Sequence, residues 1–324
     1  MDGRIVNLEL VTLETADGCL LDAACWEPAP GLHARIDSCV FVHGSGGHAF
    51  NRMYRTIGEA LAAAGVAFLS INTRGHDAIS RTNRSDGTNF VAGLAFEDWL
   101  DSPLDFHAGV DWLAARGYRR IALAGHSLGA TKAIFVQATR PHSAVAAVIA
   151  MSPPRYAYAA QSTGEDGPAY LAQLAIAEAM VAEGGGDEVI SVRLPIPGIF
   201  GAASYVARYG RPSPLDVATH LPAIEVPALV LYGESELETQ PRITASGLVA
   251  RAWAEAGGER TLVTIPGADH VYTGKLREAI TALSTWLALG SLFTLSFCLW
   301  GVFPWFGLIQ KCNFRNAGFF QIWR

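Results

Sequence analysis

The run Ile121-Ala122-Leu123-Ala124-Gly125-His126-Ser127-Leu128-Gly129-Ala130 decides the fold. Its first four residues are apolar without alternation, the pattern of a short strand covered on both faces, and Leu128 to Ala138 carries helical spacing. Between them G-x-S-x-G sets Ser127 on the turn from strand to helix. Such a turn is too tight for a side chain at Gly125 or Gly129, and its strain lifts the serine hydroxyl clear of the sheet at the positive end of the helix. Ser127 therefore reads as a nucleophile, and the amide of Leu128 as one donor to the oxyanion formed when it attacks a carbonyl.

Working outward, the same alternation of buried strand and helix recurs. Upstream, Cys39 to Val42 is a strand, Arg52 to Ala64 a helix stopped by Gly65, Val66 to Asn72 a strand, and Ser102-Pro103 opens a helix ending near Gly117. Downstream come strands at Ala144 to Met151, Ala228 to Tyr232 and Leu262 to Ile265, with helices at Ser246 to Ala256 and Gly274 to Leu289. Apolar strands separated by helices imply a parallel sheet covered on both faces. The first thirty residues differ: Val6, Leu8 and Leu10, then Leu21, Ala23 and Cys25, alternate around Asp17-Gly18, which predicts an antiparallel hairpin. Between Met151 and Ala228 the rhythm breaks into Pro- and Gly-rich sequence around one helix, Pro168 to Glu183, so residues 153–226 read as a lid insertion within one domain spanning 1–290. Residues after Asn72 and before Ser102 read as a polar loop rich in Asp, Asn and Ser.

A serine nucleophile needs a base and an orienting acid, which follow this turn in the order acid, then His. The strand from Ala228 runs into Gly233-Glu234-Ser235-Glu236, and the next strand into Pro266-Gly267-Ala268-Asp269-His270. His270 is the candidate base. Glu236 is the first choice of acid, Glu234 the alternative, and Asp269 is disfavoured because its chain neighbour is the base itself. The second oxyanion donor is expected from His43-Gly44-Ser45-Gly46-Gly47, Ser45 first and Gly46 second. Arg74, His76 and Asp77 read as ties for the loop that holds them. His43, His48 and His76 lack the spacing of a metal site, and no phosphate-cradling glycine motif is complete, so neither metal nor cofactor is expected.

Composition narrows the classes. Half of the 324 residues are hydrophobic and 17% are charged, against roughly 25% in an ordinary soluble domain. A net charge of −6 with three lysines lacks the basic field that nucleic acid demands. The five cysteines are odd in number and scattered, so no disulfide framework is expected and a reducing, cytoplasmic setting is the default. No secretory signal precedes the body. The apolar surplus sits at the other end, where residues 279–310 carry no charge, and 291–324 hold seven of the fifteen Phe and three of the eight Trp. That tail reads as a membrane anchor, an appended segment of non-native origin, or a packed helix. Oligomeric state stays open.

Taken together, HGSGG at 43–47, RGHD at 74–77, GHSLG at 125–129, VPALVLYGESE at 226–236 and PGADH at 266–270 resemble the alpha/beta-hydrolase superfamily from about Ile5 to Leu289. Within it the chain is similar to bacterial serine hydrolases of unassigned substrate, and distantly to fungal siderophore-ester hydrolases. The resemblance implies a serine hydrolase that cleaves an ester-like bond of a small acyl substrate through Ser127, His270 and Glu236. Acyl transfer or lyase chemistry on the same residues, and a non-catalytic ligand-binding role, are the alternatives. Glutamate at 236, where aspartate is commoner, is accepted in the superfamily; the tail after Gly290 has no counterpart there.

Overall fold

A computed structural model describes residues 8–28, 34–239, 243, 249 and 259–289. The expected helix at Ser246 to Ala256 and the tail 290–324 lie outside the described residues. The chain opens with β1 (Leu8–Glu14) and β2 (Cys19–Trp26), paired antiparallel in the expected hairpin, with Gly18 at φ 80 in its turn. Then follow β3 (Ser38–Val42), α1 (Arg52–Ala63), β4 (Ala67–Ile71), β5 (Ser80–Arg84), β6 (Asn89–Ala92), α2 (Ser102–Ala115), β7 (Ile121–His126), α3 (Leu128–Thr139) and β8 (Val145–Met151). The segment before β11 (Ala228–Gly233) holds α4 (Tyr158–Gln161), α5 (Gly167–Ala182), β9 (Val189–Val192), β10 (Gly198–Gly201), α6 (Ala202–Tyr209) and α7 (Val217–His220). The described chain closes with α8 (Glu234–Thr239), β12 (Arg260–Ile265) and α9 (Leu276–Leu289).

The strand order is β12-β11-β8-β7-β3-β4-β2-β5-β6, with β1 on the other side of β2. From β12 to β4 every pairing is parallel, and β2, β5, β6 and β1 add antiparallel pairs. The period of two sorts each strand between two cores. Val40, Val42, Leu123, Val230 and Tyr232 face one side, packed with residues of α2 and α3. Cys39, Phe41, Ala122, Ala124, Leu229 and Leu231 face the other, against Ile57 and Leu61 of α1 and Leu283, Trp286 and Leu287 of α9. This two-sided burial is why those strands read as unbroken apolar runs.

The chain leaves β3 to build β4 on one side, then returns to lay β7 on the other, so strand order reverses between β3 and β7. Sheets of this kind open a crevice at the carboxyl ends of the strands flanking such a reversal. Here those ends carry His43-Gly44-Ser45-Gly46-Gly47 and Ser127.

Two segments differ from expectation. The polar stretch after Ile71 contains the antiparallel hairpin β5–β6, whose turn places Gly87 at φ 84 and bonds Arg84 N–H to Thr88 O at 2.8 Å. Its strands, with β6 at the edge of the sheet, each bury one residue, so they carry no apolar alternation to read. The segment between β8 and β11 contains, besides the expected helix, the two-stranded sheet β9–β10 and short helices around it. Among the described residues no helix is long and apolar enough to cross a membrane.

Candidate active site

Gly125 and Gly129 fix the turn. A Cβ on Gly125 would lie 2.3 Å from the Gly129 carbonyl carbon, and one on Gly129 would lie 2.2 Å from Val42 O. Both distances are impossible for real atoms, so the strand β7 can turn into α3 only with glycine at each place. Ser127 between them adopts φ 55 and ψ −123, a conformation side chains rarely take, held by its N–H donating to Met151 O at 2.9 Å. Strain of this kind persists only where the surroundings over-determine it.

The Ser127 hydroxyl lies 2.9 Å from His270 Nε2, and His270 Nδ1 lies 2.6 Å from Glu236 Oε2. A carboxylate cannot donate, so Nδ1 carries the proton, and Nε2 is left as an acceptor for the serine proton. Glu236 stands in the first turn of α8, 3% exposed. Its second oxygen accepts from Gly233 N–H at 2.7 Å and from the Ser152 hydroxyl at 2.5 Å. Tyr272 supports that clamp, its hydroxyl 2.9 Å from Ser152 Oγ and 3.2 Å from Leu231 O. Ser152 and Tyr272 both sit at positive φ, 50 and 57.

The other acids of the sequence reading are turned elsewhere. Glu234 accepts from Gly267 N–H at 2.8 Å, and Asp269 accepts from the N–H groups of Val271 and Thr273. Arg74 is 4% exposed and binds Asp105, Asp17 and Asp101, the tie expected of it, while His76 bonds its neighbour Asp77 at 2.9 Å. His43 is bonded to Thr73 at 3.1 Å and to Gly44 O at 2.9 Å. Among the described residues no cluster of three metal-binding side chains occurs.

The glycine loop after β3 comes close to the serine: a Cβ on Gly44 would stand 3.0 Å from Ser127 Cβ. Ser45 is half-buried in that loop and shares a hydrogen bond with the Tyr156 hydroxyl. Leu128 opens α3, where first-turn N–H groups have no partner inside the helix. Ser127, Leu128, Ser45, His270 and Glu236 are thus brought to one end of the sheet.

His126, Tyr54, Ser152 and Tyr272 were not singled out from sequence. His126 Nε2 lies 2.8 Å from His270 O, so it donates, and its Nδ1 accepts from the Tyr54 hydroxyl at 3.3 Å; that hydroxyl accepts from Gly44 N–H at 3.0 Å. Burial pushes His126 down to about 4, which keeps it neutral as this pattern requires. The relay ties the glycine loop to the backbone of the base. The available signal is position, since His126 precedes Ser127 and Ser152 directly follows β8, the strand between β7 and β11. Tyr54→Phe will remove an acceptor from a buried amide and cost about 1–3 kcal/mol, read by urea denaturation. An unchanged midpoint would mean that Gly44 finds another partner.

Comparison with known proteins agrees with this architecture. The chain belongs to the alpha/beta hydrolase family, whose pattern matches residues 39–278. Est1E from Butyrivibrio proteoclasticus, solved with ferulic acid bound, is similar at 20% identity and a TM-score of 0.59, covering 85% of this chain and 97% of that one. The Pyrococcus furiosus esterase Pf2001 is similar at 20% identity and a TM-score of 0.56, over 87% and 90%. The alpha/beta hydrolase GrgF from Penicillium sp. sh18 is similar at 15% and 0.63, over 87% and 98%. At these identities the likeness speaks for the fold. No curated protein matches the chain.

Proposed function

We propose that the protein is a serine hydrolase that cleaves an ester-like bond. Ser127 attacks the carbonyl carbon while His270 Nε2 takes its proton, and His270 returns the proton to the leaving alcohol or thiol. Water then attacks the acyl-enzyme by the same route in reverse. Glu236 holds the imidazole in the required tautomer and faces the imidazolium that forms. The Leu128 amide and the Ser45 end of the glycine loop receive the oxyanion. The observation that carries the reading is the unbroken chain from Ser127 Oγ to His270 at 2.9 Å and from His270 to Glu236 at 2.6 Å, mounted on a strained strand-to-helix turn. No step calls for a cofactor.

The test is labelling with a fluorophosphonate, read by intact mass beside Ser127→Ala. One adduct per chain, absent in the variant, is the expected result. A folded wild-type protein that takes up no probe would overturn the assignment.

A further inference from the structure

Three parts of the proposed site come from three distant stretches of chain: the glycine loop after β3, the serine turn after β7 and the base after β12. They act together only if each is held within a fraction of an ångström of the others. The bonds from Ser127 to His270 and from His270 to Glu236 fix the nucleophile, base and acid, and leave the glycine loop to other anchors. Two buried side chains that carry out no step of the proposed chemistry, Tyr54 and His126, join the loop to the base; they are 3% and 4% exposed.

At the loop, Gly44 is the residue held. Its N–H donates to the Tyr54 hydroxyl at 3.0 Å, and its carbonyl accepts from Gly47 N–H at 3.0 Å and from His43 Nδ1 at 2.9 Å. The Gly44 carbonyl and the Ser45 N–H belong to one planar peptide unit and point in opposite directions. Holding Gly44 at both its backbone groups therefore fixes where the Ser45 amide, the expected oxyanion donor, is aimed. Tyr54 itself stands on α1 with its ring 5.0 Å from that of Phe41, so packing sets this anchor.

At the base, His126 Nε2 donates to His270 O at 2.8 Å, so His270 is held by its backbone as well as by Glu236 at Nδ1. Between the two ends, the Tyr54 hydroxyl donates to His126 Nδ1 at 3.3 Å. One donor and one acceptor on the same ring require a neutral imidazole. Charge gives the same answer: the rings of His126 and His270 lie 5.1 Å apart, and a cation on the first would oppose the imidazolium that forms on the second.

Resting on the serine-hydrolase reading, we infer that Tyr54 and His126 are positioning residues of the reaction: by tying Gly44 N–H to the carbonyl of His270 they keep the oxyanion donor and the base in register, so that turnover depends on them and substrate binding does not.

The test uses three variants of the full chain. Tyr54→Phe keeps the ring and removes the hydroxyl. His126→Asn keeps an acceptor near the place of Nδ1 and loses the donor to His270 O, and His126→Gln does the reverse. Each is assayed on p-nitrophenyl butyrate with kcat and KM separated, and against a trifluoromethyl ketone carrying the same alkyl chain. Ser127 Oγ adds to the carbonyl of that ketone, its proton passes to His270, and the carbonyl electron pair becomes the oxyanion, so the inhibition constant reports on the donors. The expected result is a kcat lower by about 10- to 100-fold with KM within about twofold of wild type. Ketone inhibition weakens by the same factor as kcat/KM, and fluorophosphonate labelling slows in parallel. Tyr54→Phe/His126→Gln is expected to be no slower than the slower single variant, because both cut one link. Tyr118→Phe is the control, removing a hydroxyl bonded to Glu27 at 2.6 Å at the opposite end of β7 from Ser127; it lowers the urea midpoint alone. A merely structural relay behaves like that control: kcat, ketone inhibition and labelling rate unchanged in folded Tyr54→Phe, or in both folded His126 variants, overturns the inference. A raised KM with kcat unchanged overturns it too. If wild type is labelled at Ser127 and the variants are as fast, this inference alone fails; if folded wild type takes up no label, the hydrolase reading fails and takes this one with it.

Discussion

Ser127→Ala will lower kcat on any ester the protein turns over by about 10⁶-fold, His270→Ala will lower it nearly as far, and the double variant will be no slower than either single one. The non-additivity follows from the geometry: the 2.9 Å bond between Ser127 Oγ and His270 Nε2 makes nucleophile and base one device, useless without either part. Glu236→Gln is the finer case, with an expected loss of about 10⁴-fold. Glu236 Oε1 receives two donors, Gly233 N–H and the Ser152 hydroxyl, so a glutamine amide can place only its oxygen there. Its NH2 then faces His270 Nδ1, which must become the acceptor. The proton moves to Nε2, and the imidazole can no longer take one from Ser127. Steady-state rates at matched concentrations of folded protein read all four variants. A Ser127→Ala protein within tenfold of wild type would show that another group does the chemistry.

The parts of this site that sequence disclosed are those fixed by local covalent constraint. Glycine at 125 and 129, a strand before and a helix after, leave Ser127 one conformation, the acid follows the buried strand β11, and the base follows the edge strand β12. The choice between Glu234, Glu236 and Asp269 was only ranked, because it depends on which face of α8 meets the sheet. Glu236 turns inward to Ser152, which arrives from a strand eighty-four residues away in sequence, while Glu234 caps the loop at Gly267. The β5–β6 hairpin has no such signature, because strands that each bury a single residue need no apolar face. The buried pairing of Glu97 with Lys132 and Arg208 leaves one trace in the sequence, Lys132, the single charge within the apolar helix Leu128–Thr139. A lysine there must find a buried partner, though nothing local says that it lies at Glu97.

Acidification from pH 6.5 to pH 4 will destabilise the fold. His43 and His126 are fully buried, and burial pushes each from the ordinary 6.5 down to about 4. Their hydrogen bonds agree with neutral rings, His126 donating to His270 O and accepting from Tyr54, His43 bonded to Thr73 and Gly44. The sign follows from proton counts. Between about pH 6.5 and 4 the unfolded chain binds a proton at each imidazole and the folded chain does not, so acid favours unfolding. Above 6.5 neither state binds and the effect is absent; below 4 both bind and the loss is complete. Each histidine contributes a slope of about 1.4 kcal/mol per pH unit across that window, on the order of 3 kcal/mol in all, while Asp105, raised by burial to about 6, takes up its proton first in the folded chain and offsets about one histidine's share between pH 6 and 4. Set against a total stability of about 5–15 kcal/mol, the net loss of about 3 kcal/mol by pH 4 is a large share of the whole. Urea midpoints from pH 7.5 to 4.5 measure it, with His43→Gln expected to remove most of the slope below pH 6, where the one remaining ring is balanced by Asp105. A midpoint that does not move between pH 6.5 and 4.5 would mean that the buried rings accept protons in the folded state. The relay from Gly44 through Tyr54 and His126 to the backbone of His270 could then not hold as described, because a charged His126 has no free nitrogen to accept the tyrosine proton.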